Sequence, residues 1–245
     1  MTERVGIVFV SHSVLLAEGA VALAGQMAPS VRLIAAGGTD DDGIGTSFAK
    51  VMAGVGEADS GAGVVVISDL GSALLTAETV LDMLADDERA RVRVVDVPYV
   101  EGGIAASVAA ETGADLAAVA EAAESARTAW PVGEKGDAAQ GEATPADVPA
   151  AAPAESSGEA GPYEREVLVR NPQGLHARPA ADFVKLANTF PVKVTVNGKD
   201  AKSLLGVMSL GLTAGSTARI STDDPAGSEA VDALVALVET GFGEV

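Results

Sequence analysis

VGIVFVSHSVLLAEG (residues 5–19) holds two patterns in succession, and the switch between them decides the fold. Val5–Val10 is a short apolar run rich in β-branched residues, the look of a strand covered on both faces. Ser11-His12-Ser13 then interrupts the run, and VLLAEG continues with helix-compatible residues. The same alternation recurs. VRLIAA (31–36), GVVVISDL (63–70) and VRVVDVPYV (92–100) read as further strands. Helical stretches are predicted over 13–27, 44–58, 77–89, 103–112 and 115–130. A βαβα order with short connections predicts a mostly parallel sheet with helices on both faces. In such sheets the site forms in loops at the carboxyl ends of the strands. Here those loops are Ser11-His12-Ser13, Gly37-Gly38-Thr39-Asp40, Asp69-Leu70-Gly71-Ser72 and Glu101-Gly102-Gly103.

The chain has 245 residues, enough for one large domain or two smaller ones. Apolar residues make up 48% but aromatics only 3%, so the core rests on Ala, Val, Leu and Ile. The net charge of −19 argues against nucleic acid or an anionic membrane as partner, because both require a cationic face. The absence of cysteine removes disulfides, thiol catalysis and thiolate metal sites together. No apolar run approaches the ~18–20 residues that span a bilayer, and the N-terminus lacks a signal-peptide pattern. The expected location is the cytoplasm.

Composition marks three segments. From residue 133 to 162 large apolar side chains nearly vanish and Ala, Pro, Gly, Glu and Ser dominate, which predicts a flexible linker. As a coil it would span on the order of 30 Å, letting two domains meet and separate. The expected domains are therefore 1–132 and 163–245. Their charges are −12 and −2, with −5 on the linker, so the second domain is nearly neutral. No internal repeat relates the two halves. In the second, EREVLVR reads as a strand, 176–187 as a helix and VKVTVNGKDAKS as a hairpin around Asn197-Gly198. A short helix over 203–210, a strand STARIST and a helix over 225–241 complete a βαββαβα order. That order predicts an α+β open-faced sandwich: a small antiparallel sheet with helices on one face.

Both histidines of the chain fall where an apolar run gives way to a helix start. Such a start offers unpaired backbone N–H groups and a positive dipole end, which together suit an anion. Neutral imidazole is a competent nucleophile near pH 7. A phosphoryl group on His176 would meet the first-turn N–H groups and the Arg178 guanidinium. A capping histidine without chemistry fits the same spacing. At His12, Asp69 falls in the neighbouring strand-end loop. A carboxylate accepting the Nδ1–H of the imidazole fixes the tautomer and leaves Nε2 as nucleophile. The rest of the cradle is neutral: the hydroxyls of Ser13, Thr46, Ser47 and Ser72, with no Lys or Arg within these loops. Asp40-Asp41-Asp42 reads as an exposed acidic loop, cation binding being the alternative. No metal cluster and no nucleotide-binding glycine fingerprint is present in the sequence.

Gly174-Leu175-His176-Ala177-Arg178-Pro179-Ala180, followed by Lys202-Ser203-Leu204-Leu205-Gly206-Val207-Met208, resembles the HPr family, the phosphocarriers of the phosphoenolpyruvate-dependent phosphotransferase system. The resemblance covers about residues 163–245. It implies that His176 is phosphorylated through Nδ1 with Arg178 assisting. Ser203 matches a regulatory phosphorylation site of some members, and also reads as the N-cap of the short helix. The first half resembles the mannose-type EIIA fold, and more closely the EIIA-like domain of the DhaM family, the phosphotransfer subunits of dihydroxyacetone kinases. The residues that carry this are VSHS (10–13), GGTDD (37–41), IGTSF (44–48), SDLGSA (68–73) and VEGG (100–103), within about residues 3–113. Mannose-type transporter domains usually show a DLFGGTP-like segment where this chain has Asp69-Leu70-Gly71-Ser72-Ala73, and that departure favours DhaM.

The resemblance implies His12 as a second phosphorylated residue, Asp69 as its orienting partner, and a homodimer through the first domain. The expected activity is a relay. Enzyme I charged by phosphoenolpyruvate, expected as a separate protein, gives the group to His176. His12 then takes it and rephosphorylates ADP on the DhaL subunit, for dihydroxyacetone phosphorylation with DhaK. Covalent phosphohistidines would do the work without a cofactor. The alternatives are a sugar-transport component donating to a mannose-type EIIB, and a regulatory module read by its phosphorylation state.

Overall fold

The computed structural model describes residues 3–129 and 162–243, so the predicted linker over 133–162 lies almost wholly outside the described residues. In the first half the strands β1 (Gly6–Ser11), β2 (Leu33–Gly37), β3 (Val64–Ser68) and β4 (Val92–Val95) form one parallel sheet in the order β2-β1-β3-β4. The helices are α1 (Val14–Gly25), α2 (Phe48–Ala58), α3 (Gly71–Met83), α4 (Asp86–Arg89), α5 (Tyr99–Glu111), α6 (Leu116–Glu124) and α7 (Ala126–Ala129).

The period of two along a strand sorts its side chains into two cores. Ile7 and Phe9 of β1, with Val65 and Ile67 of β3, pack against Ala20 and Ala24 of α1 and Ile104 and Val108 of α5. Val8 and Val10, with Val64 and Val66, pack on the other face against Val51 and Val55 of α2 and Ala73, Ala77 and Val80 of α3. Continuous apolar runs therefore mark strands covered on both sides, as the sequence predicts.

Register delivers the site. Ser11 pairs with Gly37 on one side, and Val10 pairs with Ser68 on the other. The Asp69 N–H donates to the Val10 carbonyl at 3.1 Å, so Asp69 leaves β3 level with the Ser11-His12 corner.

Several element bounds differ from expectation. The segment 44–47 is not helical: Gly45 sits at φ 145°, and Ser47 has extended backbone and caps the helix that begins at Phe48. Helix α3 starts six residues before the predicted Ala77, so Gly71 and Ser72 lie in its first turn rather than in a loop. The apolar run 92–100 ends as a strand at Val95. Pro98 then stands at the N-cap of α5, since proline breaks a ladder and fits a helix start.

In the second half, β5 (Tyr163–Leu168), β6 (Thr195–Val196), β7 (Lys199–Asp200) and β8 (Thr217–Thr222) form an antiparallel sheet in the order β5-β8-β6-β7. Helices α8 (Ala177–Asn188), α9 (Leu204–Met208) and α10 (Ser228–Glu239) complete the predicted βαββαβα order. Phe183 and Val184 of α8, Val196, Ile220, Leu234 and Val238 are all buried in its core. Among the described residues no helix is long and apolar enough to cross a membrane.

Candidate functional site

His12 leaves β1 at the carboxyl edge of the parallel sheet, and a single carboxylate holds it twice. Asp69 Oδ2 accepts the backbone N–H of His12 at 2.9 Å, and Oδ1 lies 2.9 Å from Nδ1 of the same residue. Ser11 Oγ donates to Oδ2 at 2.8 Å and accepts the N–H of Ser13 at 3.0 Å. Burial pushes the Asp69 carboxyl up, but the His12 N–H, the His12 ring and the Ser11 hydroxyl together hold it below the ordinary carboxylate range. Asp69 is thus an anion that can only accept, and Nδ1 must carry the hydrogen between them. That leaves Nε2 with its lone pair, 2.7 Å from Ser72 Oγ in the first turn of α3. The His12 side chain is 20% exposed and that of Asp69 9%, so the nucleophilic edge reaches solvent while its anchor is covered.

The chemistry this permits is attack by Nε2 on a phosphoryl group placed over the start of α3. Leu70 is the N-cap there, and no side chain caps the helix. Its first-turn N–H groups and the Ser72 hydroxyl would therefore be available to an anion placed there. Ser72→Ala removes one neutral donor, and the phosphorylation of His12 should slow about threefold to tenfold, measured by quenched-flow labelling.

The other hydroxyls expected at the cradle hold structure around it. Ser13 caps α1 by accepting the Leu16 N–H, and Ser47 caps α2 by accepting the Lys50 N–H while donating to Asp40. Thr46 bonds Thr76 at 2.9 Å, tying the segment before α2 to α3. That segment also touches the site directly, through the Gly45 N–H on the His12 carbonyl at 2.9 Å. A cation does reach this edge, from α2 rather than from the loops. Lys50 Nζ donates to the Gly37 carbonyl at 3.1 Å and pairs with Asp42 at 2.5 Å. Sequence reasoning missed the parts played by two residues, Lys50 and Ser11. A serine closing an otherwise apolar strand was the available signal for Ser11. Among the described residues no group of side chains is arranged to hold a metal ion.

The second histidine is set by a different device. Asn171 is buried, its amide donates to the Gly174 carbonyl, and the Gly174 N–H returns to the Asn171 carbonyl at 2.9 Å. Gly174 has φ 69°, and a Cβ there would lie 2.2 Å from the Leu212 carbonyl oxygen, so only glycine fits. The Leu175 N–H also donates to that carbonyl, at 2.8 Å. This closed turn presents His176 as the N-cap residue of α8, half-buried, with Arg178 exposed in the first turn. Pro179 occupies a first-turn position where no N–H is needed. Ser203 caps α9 by accepting the Gly206 N–H at 3.1 Å. The structure gathers His12, Asp69 and Ser72 at one place and His176 and Arg178 at another.

Residues 6–120 match the family model described as the PTS system fructose IIA component, of mannose-type EIIA, and residues 163–240 match that of the PTS HPr component phosphorylation site. Over 98% of its length the chain is 35% identical to the phosphoryl donor subunit DhaM of the PEP-dependent dihydroxyacetone kinase of Escherichia coli (strain K12), covering 51% of that protein. It thus spans about half the length of such relatives. A second relative, the phosphoryl donor subunit DhaM of dihydroxyacetone kinase 2 from Listeria innocua, is 32% identical over 42% of this chain and 84% of its own length. The phosphocarrier protein HPr of Cupriavidus necator is 46% identical over 33% of this chain and 96% of its own length. A mannose-type EIIA module followed by an HPr module, each with its histidine at a helix start, places the chain in the DhaM family, the phosphoryl donor subunits of PEP-dependent dihydroxyacetone kinases.

Proposed function

We propose that the chain is a two-step phosphoryl relay. Enzyme I, charged by phosphoenolpyruvate, phosphorylates His176, with the Arg178 guanidinium and the first turn of α8 receiving the group's charge. His12 Nε2 then attacks the phosphorus and the His176 nitrogen leaves. His12 in turn passes the group to ADP held on a DhaL subunit, which with DhaK phosphorylates dihydroxyacetone. Phosphohistidines carry the group throughout, so no cofactor enters. The work is done in the cytoplasm, by a homodimer joined through the first half.

One observation carries this reading: His12 Nδ1 is pinned on an ionised Asp69 while Nε2 stands beside Ser72 at the start of α3. A carboxylate so placed stabilises the positive charge that develops on imidazole during attack, and it does so already in place. Positioning and electrostatics are the main demands of phosphoryl transfer.

The test is reconstitution with radiolabelled phosphoenolpyruvate, Enzyme I, DhaK, DhaL and the chain. Label should reach dihydroxyacetone phosphate; label delivered instead to a mannose-type EIIB would overturn the acceptor named here. In the same assay His176→Ala should lose essentially all transfer, on the order of 10³-fold or more, when Enzyme I is the only donor. A separate HPr should restore most of it by charging His12 directly. Unimpaired transfer by His176→Ala with Enzyme I alone would show that the second histidine is not on the route.

A further inference from the structure

Behind the Ser11–Asp69–His12 array lies a phenol that the relay, as described, does not use. Tyr99 opens α5, and its ring meets Phe9 of β1 edge-on, with centroids 5.8 Å apart and planes at 90°. Its hydroxyl is buried with no hydrogen-bond partner at ordinary distance, a state native proteins avoid unless it serves a purpose. Phe9 and Ser11 stand two residues apart on one face of β1, so the ring that meets Phe9 lies alongside the Ser11–Asp69 pair, and both groups act on its hydroxyl.

The proton directions around these groups are constrained. Asp69 is an anion and only accepts, so the Ser11 proton points at it. Ser11 Oγ already accepts the Ser13 N–H, which leaves it one further acceptor position. A buried phenol keeps its proton, since burial and the Asp69 charge both push its pKa up. The field of the Asp69 anion draws that O–H dipole toward Ser11 Oγ or the carboxylate. Either way it favours the ionised form of Asp69 and opposes reversal of the Ser11 hydroxyl.

We propose that Tyr99 is a positioning residue for His12: its buried hydroxyl supports the Ser11–Asp69 pair that keeps the hydrogen on Nδ1 and the lone pair on Nε2. The proposal rests on the relay reading for its consequence, but not for its primary readout. Ring and hydroxyl are separable, because phenylalanine preserves the contact with Phe9 and removes only the dipole.

The test is nitrogen–proton correlation NMR of the full unphosphorylated chain, in which the two histidines are the only imidazoles. Native His12 should show the Nδ1–H tautomer. Tyr99→Phe should give a mixed tautomer at His12, an unchanged His176, and about fivefold slower phosphorylation of His12 with unchanged thermal stability. Tyr99→Leu, which also loses the ring contact, should add a stability loss. If Tyr99→Phe keeps the native tautomer and rate while Tyr99→Leu impairs both, Tyr99 serves packing alone and the proposal is wrong. Should the native chain pass no label onward, the relay reading fails while the tautomer result still decides the role of Tyr99.

Discussion

His12→Ala is expected to abolish delivery of label from phosphoenolpyruvate to dihydroxyacetone, by on the order of 10⁵-fold, while His176 still becomes charged by Enzyme I. The magnitude follows from losing the nucleophile itself: no neighbouring side chain can form the covalent intermediate. The Ser72 hydroxyl stands beside Nε2, but His12→Ala removes the imidazole that is its hydrogen-bonded base, and Asp69 was in contact with the far side of that ring. The fold should survive. The His12 N–H on Asp69 and the His12 carbonyl under Gly45 are backbone bonds that alanine keeps. One side-chain bond to Asp69 is lost, about 1–2 kcal/mol, so the melting temperature should fall by only a few degrees. Charging of His176 in the same sample is the internal control. Full transfer by His12→Ala would refute the relay.

Asp69→Asn carries the second large effect, through geometry rather than loss of a reacting atom. Asparagine supplies one acceptor oxygen, whereas the carboxylate serves Ser11 Oγ and the His12 N–H with Oδ2 and the ring with Oδ1. With its oxygen kept on the first two, the amide would present N–H to Nδ1 and drive the imidazole hydrogen to Nε2. The nucleophile is then blocked, and charge developing on the ring loses its counter-ion. A fall in phosphorylation rate of about 10²–10⁴-fold is expected, with His176 unaffected. The same variant tests the pH behaviour. Because the native-state pKa of Asp69 is lowered, its contribution to stability is fully present above the unfolded carboxylate value near 4 and is lost as pH falls through the lowered value. Thermal melts between about pH 6 and pH 2 should therefore show the native chain losing a component of stability in acid that Asp69→Asn lacks throughout.

How much was legible in the sequence differs between the frame of the site and its finish. The pairing of His12 with Asp69 was legible because a parallel sheet brings consecutive strand ends side by side, and Ser68 pairs with Val10. The start of α8 at His176 was legible because Asn-Pro-Gln-Gly is turn chemistry followed by an apolar helix face. The choice among hydroxyls was not. Ser13, Ser47 and Ser72 all follow strands near a helix start, but the first two have extended backbone and accept helix N–H groups, while Ser72 lies inside the first turn and faces His12. That distinction depends on where each helix begins, and α3 begins six residues earlier than its pattern suggests. Tyr99 was hidden for the same reason: it was read as the end of a strand, although the Pro98 before it signals a helix start. Lys50 was out of view because its four-carbon stem carries charge back from α2 to the loop.

The groups that touch His12 through hydrogen bonds come from strand ends and loops of one sheet: Asp69 after β3, Ser72 at α3, Gly45 before α2. The turn that presents the second histidine is built from other residues, Asn171, Gly174 and Leu212. In evolutionary terms the two histidine sites are separately inheritable. A lineage could alter the surroundings of one histidine without rebuilding those of the other.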